Sequence, residues 1–310
     1  MTEPQASAAV DPELDPEAPL PSSDDDSETG SAADARRGLR WWKEVGLVLA
    51  FYAVYSVVRN TQGSATVSAA HAMRNALRVI DWEKALGMFH EEWIQQRFLG
   101  WNGFIEFWNL FYGTFHFFVT IFALVWLFRR FPARYRRWRN TLAATTALAL
   151  IGFATYPLMP PRLLPASFGF VDTLRHYGSL WSFDSGAMSK LSNQYAAMPS
   201  LHFAWALWCT FVLVPAVRSP WAKAAAIIYP ACTLFAVVVT GNHYILDAAG
   251  GAVVLGVGAI IGFTIAARLE ESARRRHLPA GGGGGSGSGD GDGDGSPPDG
   301  PPMAPTAVST

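Results

Sequence analysis

Two short stretches of the sequence carry side chains that could do chemistry in apolar surroundings. His202 follows a proline and a serine in MPSLH, and His243 precedes Asp247 by four residues in HYILD. Residues four apart lie on one face of a helix, so the carboxylate of Asp247 can reach the imidazole of His243. A carboxylate inside an apolar helix is costly unless it has a partner, and His243 is the obvious one.

The chemistry that these groups support is phosphoryl transfer. A carboxylate on one imidazole nitrogen fixes the tautomer and makes the other nitrogen nucleophilic. A second histidine can protonate a leaving oxygen and later take a proton from an acceptor. Arg162, in YPLMPPRLLP, adds fixed positive charge in the planar fork that suits phosphoryl oxygens. The set therefore predicts transfer through a phosphohistidine, with no metal and no cofactor.

Two other interpretations of the same residues were weighed. Metal ligation lacks a third strong ligand nearby, and the 41-residue separation of His202 and His243 is not a zinc-site spacing. A structural interpretation makes each polar group a hydrogen-bonded helix end and Arg162 a contact to phospholipid headgroups. Three successive helix ends are predicted to carry these groups at one depth, which favours the catalytic interpretation.

Five other polar residues are predicted to lie near this set: His116, Lys190, Asn193, Tyr195 and Ser200. Lys190 is a helper for phosphate binding. His116, within the apolar stretch YGTFHF, either lines the site or hydrogen-bonds a neighbour. Asn193 and Tyr195 either contact substrate or cap the turn into the next helix, and capping is favoured. Ser200 belongs to the MPSLH stretch and is a candidate for lining the site.

These residues resemble the motifs of the type-2 phosphatidic acid phosphatase superfamily. The pattern of that family is K-x6-R-P, then P-S-G-H, then S-R-x5-H-x3-D, on a six-helix membrane bundle. Here Pro199-Ser200-x-His202 and His243-x3-Asp247 match its last two motifs. The resemblance implies that His243 is the nucleophile, Asp247 its orienting partner and His202 the general acid.

The sequence departs from the family pattern at three positions. Leu201 replaces the glycine of P-S-G-H, Val237 replaces the arginine six residues before His243, and Thr155 stands where the first-motif lysine would fall. Phosphate binding is therefore expected to rest on Arg162. The combination PPRLLP, MPSLH and HYILD is more similar to the inositol phosphorylceramide synthase branch, whose members transfer a phosphoryl headgroup between lipids.

The elements that must position these residues are predicted to be membrane-spanning helices. Both chain ends are polar, whereas the middle carries long apolar runs of spanning length. Six spans are predicted, at about 44–58, 103–128, 141–158, 201–217, 221–240 and 244–266. The fold class is accordingly an all-α polytopic membrane protein with a six-helix bundle.

The basic residues predict how this bundle is oriented. Of the 24 lysines and arginines, 16 lie before the first span, after the sixth, and in the short connections 129–139 and 218–223. Six alternating spans bring all four segments to one side, which the positive-inside rule makes cytoplasmic. Both termini are therefore predicted to be cytoplasmic, and the site is predicted to face outward from the cell membrane.

The remaining segments complete the predicted organisation. Residues 1–36 and 279–310 lack apolar surface and are predicted to be disordered tails around a membrane domain at 41–276. Residues 66–98 have apolar side chains at helical spacing and are predicted to form one or two amphipathic helices on the outer leaflet: Val67, Ala70, Met73, Leu77 and Ile80. The scarcity of lysine suggests a GC-rich, actinobacterial genome.

Function follows from the site and the membrane setting together. The sequence predicts an enzyme that cleaves a lipid phosphate and transfers the phosphoryl group to water or to a hydroxyl. A headgroup transferase is the enzymatic alternative, and a catalytically silent lipid-binding protein is the alternative of another class. The expected partners are a lipid phosphate and the bilayer; no nucleic-acid role is predicted, because topology explains the basic cluster 129–139. The sequence indicates no oligomeric state.

Overall fold

The structure, a computed structural model, describes residues 40–61, 68–177 and 194–277. Both predicted tails, Lys190 and Asn193 lie outside these ranges. Within the described ranges the regular structure is helical and there is no β-strand; one isolated bridge joins Leu158 and Ala196. The all-α class is confirmed for this part of the chain.

The described residues form nine α-helices. In chain order they are α1 (Trp41–Thr61), α2 (Ala69–Ala85), α3 (Glu91–Phe98), α4 (Asn102–Arg130), α5 (Pro132–Thr155), α6 (Thr173–His176), α7 (Leu201–Leu213), α8 (Pro220–Val239) and α9 (Ile245–His277). Two short 3₁₀ turns, Pro161–Leu163 and Ala166–Phe168, lie between α5 and α6.

Each of the six predicted spans coincides with a helix: α1, α4, α5, α7, α8 and α9. Three of these described helices are long and apolar enough to cross a membrane, namely Asn102–Arg130, Pro220–Val239 and the Ile245–Ser272 part of α9. Helix α7 is apolar but has only 13 residues. The structure therefore supports three membrane-spanning candidates, and the full set of six spans stays a prediction.

One predicted connection is wrong. The segment 129–139 was expected to be an arginine-rich loop, but α4 continues to Arg130 and α5 begins at Pro132. Proline suits the first position of a helix, and arginine is a good helix former, so the chain turns at Phe131 alone. Arg129 and Arg130 consequently lie in the last turn of α4, and the other four arginines lie in the first turns of α5, where Arg139 forms an ion pair with Glu44 of α1.

The helices that carry the site pack through apolar and small residues. Trp208 of α7 is fully buried, and its indole N–H donates to the carbonyl of Trp138 at 3.0 Å. Helix α9 approaches α5 so closely that a Cβ added at Gly258 would lie 2.3 Å from Oγ1 of Thr145. At Gly262 the same test meets the backbone nitrogen of Thr141 at 2.4 Å. Small residues therefore set the spacing of α5 and α9.

Helices α2 and α3 differ from the predicted amphipathic surface. Leu77 of the predicted apolar stripe is 40% exposed, and Ala70 is also exposed, whereas Ile80 is buried. The buried face carries small, aliphatic and polar residues: Ala72, Asn75, Ala76, Val79, Ile80 and Glu83. The reason is a protein contact, because Asn75 Nδ2 donates to the carbonyl of Pro157 at 2.8 Å and the apolar members pack in one cluster with Leu158 and Tyr244.

The chain divides into two compact units, and the first runs to Leu269. All the site residues discussed below belong to this first unit. The second unit begins at Glu270, within α9. Its described residues include an exposed ion pair between Glu271 and Arg275, which lie one helical turn apart.

Candidate active site

His243 and Asp247 form a buried hydrogen-bonded pair at the start of α9. Nδ1 of His243 lies 3.2 Å from Oδ2 of Asp247, and the two side chains are 4% and 0% exposed. The same Oδ2 accepts the backbone N–H of Tyr244 at 2.9 Å, which fixes the carboxylate. Because Nδ1 faces Asp247, Nε2 is the imidazole nitrogen that remains for chemistry.

A sharp turn between α8 and α9 delivers His243 to this place. Gly241 has a φ of 68°, a left-handed conformation that glycine adopts without strain. A Cβ at this position would also lie 2.8 Å from Nε2 of Gln95 and 3.3 Å from Cβ of Arg162. The backbone N–H of His243 donates to the carbonyl of Val237 at 3.2 Å, and this hydrogen bond fixes the backbone of His243 just after the turn.

His202 lies in the first turn of α7, beside His243. Ser200 caps this helix: its Oγ accepts the N–H of Phe203 at 3.4 Å. The N–H of Ser200 donates to the carbonyl of Asp247 at 2.9 Å, which joins the starts of α7 and α9. The rings of His202 and His243 are 5.6 Å apart between centroids. The structure thus brings the three predicted catalytic residues together and gives Ser200 a capping contact.

His116 belongs to the same group of side chains. Its ring lies 4.3 Å from that of His202, and its Nδ1 is 3.0 Å from the carbonyl of Tyr112. Tyr112 itself stacks on His202, with the ring centroids 4.3 Å apart. These three rings line a narrow cleft between α4, α7 and α8 together with Phe111, Tyr229, Thr233, Ala236 and Val237. His116 therefore both lines the site and hydrogen-bonds a neighbour.

Arg162 is held next to the turn that carries His243. Its Nε donates to Oδ1 of Asn242 at 3.0 Å, and its Nη1 lies 2.9 Å from Oδ2 of Asp172. Its backbone N–H donates to the carbonyl of Gly241 at 2.8 Å. The guanidinium is thus oriented by two side chains, and one of them is the immediate neighbour of His243. The prediction did not include Asn242 or Asp172.

Tyr195 lies in the segment that leads into α7. Its carbonyl accepts the N–H of Leu158 at 2.7 Å, and its partly buried ring packs on the cluster that contains Leu158 and Tyr244. Lys190 and Asn193, outside the described residues, stay predictions.

Two further carboxyl groups reach the site, and the sequence analysis missed both. Glu83 of α2 and Glu91 of α3 are fully buried. Glu83 Oε1 accepts the N–H of Leu246 at 2.7 Å, and Glu91 Oε1 accepts the N–H of Ile245 at 2.9 Å. Burial, followed by the interaction with Glu91, raises the pKa of Glu83 to about 9. The available signal was helical spacing: Glu83 continues the face formed by Ala72, Ala76 and Val79.

The donor set also bears on metal binding. Among the residues that the structure describes, no three histidine, cysteine, aspartate or glutamate side chains are grouped closely enough to hold a metal ion. The nearby charges are those of Arg162, Asp172 and the carboxyls at the start of α9. Of these groups, the guanidinium of Arg162 can bind and orient a phosphoryl group by hydrogen bonding and charge.

The fold and the site together define a helical protein with membrane-spanning candidates and a buried histidine–aspartate pair facing a second histidine. The chain belongs to the PAP2 superfamily, whose sequence profile matches residues 77–261. Members of this superfamily are phosphatases and phosphotransferases, so membership indicates such activity on a lipid-like substrate. Neither the curated proteins nor the solved structures include a significant match.

Two of the departures from the family pattern now have a structural description. Val237, in the place of an arginine, is fully buried, and its carbonyl accepts the N–H groups of Asn242 and His243. Thr155, in the place of a lysine, is the last residue of α5 and returns its hydroxyl to the carbonyl of Ile151 at 2.8 Å. Neither position supplies positive charge. Among the residues that the structure describes, Arg162 is a cation that lies beside the turn carrying His243.

Proposed function

We propose that this protein is an integral membrane enzyme that cleaves a lipid phosphate through a phosphohistidine at His243. The observation that carries this proposal is the buried hydrogen bond between His243 Nδ1 and Asp247 Oδ2, with the His202 ring close by. The carboxylate sets the tautomer that leaves Nε2 unprotonated. A buried pair of this kind has the geometry of an activated nucleophile.

The proposed reaction has two steps. In the first, Nε2 of His243 attacks phosphorus, the bond from phosphorus to the leaving oxygen breaks, and His202 donates a proton to that oxygen. In the second, His202 takes a proton from the incoming water or hydroxyl, whose oxygen attacks phosphorus while the phosphorus–nitrogen bond breaks. Arg162, with Lys190 as a predicted helper, binds the phosphoryl oxygens and balances the charge that develops on them.

The acceptor distinguishes the two enzymatic forms of this proposal. With water as the acceptor the protein is a lipid phosphatase, and with a polyol or lipid hydroxyl it is a phosphotransferase similar to inositol phosphorylceramide synthase. A catalytically silent lipid-binding protein is the alternative of another class. Such a protein would have no need to keep His202 beside a buried histidine–aspartate pair.

An activity assay on the full chain tests the proposal. Purified protein in detergent is given a panel of lipid phosphates, with and without a polyol acceptor and with and without EDTA. We expect turnover that EDTA leaves within about twofold, because imidazole, carboxylate and guanidinium supply the chemistry. Free phosphate indicates a hydrolase, and phosphorylated polyol indicates a transferase. Loss of turnover in EDTA that one divalent ion restores would contradict the mechanism.

We also propose the orientation that the basic residues indicate, with six spans, both termini cytoplasmic and the site on the outer side of the cell membrane. Ser167 lies exposed in the 3₁₀ turn Ala166–Phe168, in the connection between α5 and α7 that carries Arg162. Arg218 lies exposed between α7 and α8, in a predicted cytoplasmic connection. These two positions therefore report on opposite sides of the membrane.

Cysteine labelling in intact cells checks this orientation. In a background with Cys209 and Cys232 replaced by alanine, Ser167→Cys should react with an impermeant thiol reagent before lysis. Arg218→Cys, the matched control, should react only after the membrane is permeabilised. The opposite pattern would reject the orientation without affecting the chemistry.

A further inference from the structure

The start of α9 is held by three carboxyl groups in succession. The backbone N–H groups of Tyr244, Ile245 and Leu246 donate to Asp247, Glu91 and Glu83 respectively, at 2.9, 2.9 and 2.7 Å. The first N–H groups of a helix have no partner within the helix, so each needs an external acceptor when it is buried. Here the acceptors come from three different helices, and all three side chains are fully buried.

We propose that Glu83 and Glu91 are positioning residues for the nucleophile: they fix the first turn of α9 and thereby hold His243 against Asp247. This inference rests on the proposed function of His243. It assigns the buried face of α2 and the start of α3 a role in the reaction, although neither helix carries a residue of the family motifs.

Two glutamates are needed because the first turn of α9 has to be fixed from outside this helix. His243 precedes α9, and Asp247 lies in its first turn, so their separation depends on the backbone conformation from 243 to 247. Within the turn itself, Oδ2 of Asp247 accepts the N–H of Tyr244 and lies beside Nδ1 of His243. Glu91 and Glu83 secure the next two N–H groups from outside the helix. Loss of either contact would free the turn to move the imidazole, and a displacement of about 1 Å costs up to about 100-fold in rate.

The burial of three neighbouring carboxyl groups indicates that Glu83 holds a proton. Oε2 of Glu83, Oε2 of Glu91 and Oδ1 of Asp247 are buried with no hydrogen-bond partner among the described residues. Three unpaired negative charges would be costly in this space. The titratable groups that interact with Glu83 are Glu91, Asp247 and Tyr244, and burial together with the interaction with Glu91 raises the pKa of Glu83 to about 9. Glu83 is therefore protonated at neutral pH.

Substitutions at Glu83 separate positioning from ordinary structural support. Glutamine keeps an acceptor for the N–H of Leu246 and places an N–H donor where the protonated acid has its O–H, whereas alanine removes both. We expect Glu83→Ala to lower kcat by about tenfold to 100-fold with KM within about twofold. We expect Glu83→Gln to restore kcat to within about threefold of the wild type. Asp81→Ala, on the exposed face of α2, is the matched control and should leave both constants unchanged.

The pH dependence gives a second readout that does not require the alanine variant to fold. As pH rises through about 9, Glu83 loses this proton and becomes a buried carboxylate beside Glu91 and Asp247, and kcat should fall. Glu83→Gln cannot lose that proton, so this alkaline decline should be absent. Stability follows the same sign: a carboxyl whose folded pKa is raised favours folding at low pH and loses that contribution as pH rises from about 4.5 to about 9. The thermal midpoint should decline less with pH in the glutamine variant.

The outcomes distinguish failure of this inference from failure of the proposed function. Wild-type kcat in Glu83→Ala, or an unchanged alkaline decline in Glu83→Gln, would overturn the positioning role while His243→Ala is inactive. Undiminished turnover in His243→Ala would overturn the proposed function itself. Hydrogen exchange of the peptide covering 243–248 should be faster in Glu83→Ala than in Asp81→Ala in either case, and equal rates would contradict the role of Glu83 in holding this turn.

Discussion

His243→Ala should reduce phosphoryl transfer by at least about 10⁴-fold while leaving a folded protein. The substitution removes the atom that attacks phosphorus, so no covalent intermediate can form and both steps stop. The imidazole also hydrogen-bonds Asp247, and its loss leaves that buried carboxylate without its histidine partner. Folding is therefore checked by size-exclusion chromatography and by the thermal midpoint alongside the activity.

Direct detection of the intermediate makes this test specific. Wild-type protein quenched during turnover with a ³²P-labelled substrate should carry acid-labile phosphate if breakdown of the intermediate is slow, and His243→Ala should carry none. His71→Ala, an exposed histidine of α2, is the matched control and should label like the wild type. Label on any residue other than His243, or wild-type turnover in His243→Ala, would refute the assigned nucleophile.

His202→Ala should show a loss that depends on the leaving group. With a lipid phosphate, whose leaving oxygen must be protonated, the loss should be about 10²–10⁴-fold, the usual contribution of a general acid. With nitrophenyl phosphate, whose leaving group is stable as an anion, the loss should shrink to about tenfold or less. The measurement is the ratio of kcat/KM between wild type and variant for the two substrates.

Asp247→Asn provides the matched control for this comparison. Its carboxylate orients the nucleophile, which every substrate needs, so its loss should be similar for the lipid phosphate and for nitrophenyl phosphate. An equal loss for both substrates in His202→Ala would mean that His202 supports the structure of the site and does not donate the proton. The ring contact between His202 and His243 would then be a packing contact.

The sequence predicted the features that depend on residues close to one another in the chain. The four-residue spacing of His243 and Asp247 and the periodicity of the apolar runs depend on neighbours along one helix, and both correspond to contacts in the structure. Phe131 shows the limit of hydropathy. By hydropathy, a run of arginines resembles a loop. Because arginine is a good helix former and proline suits the first position of α5, helices nevertheless cover this segment on both sides of Phe131.

Contacts between residues far apart in the chain could not be predicted from the sequence for the same reason. Asp172 and Asn242 are ordinary polar residues in sequence, and only the path of the chain between α5 and α7 brings Asp172 to Arg162. Glu83 was passed over because residues 66–98 were assigned to a membrane surface, where an acidic residue needs no partner. When a helix packs against backbone N–H groups, its acidic side chains are buried as acceptors for them. Hydropathy does not distinguish such a helix from one that lies on a membrane surface.

The length of α7 has a consequence for how a substrate arrives. Its 13 residues span about 20 Å, whereas the hydrocarbon core of a bilayer is about 30 Å thick. In the proposed orientation, an α7 that lies along the membrane normal and ends near the cytoplasmic surface would place His202 about 12 Å below the opposite edge of that core. A lipid phosphate then reaches the histidines sideways, from within the leaflet. The concentration that governs its encounter with His243 is the mole fraction of the lipid in the membrane plane, and its concentration in the surrounding water has little bearing.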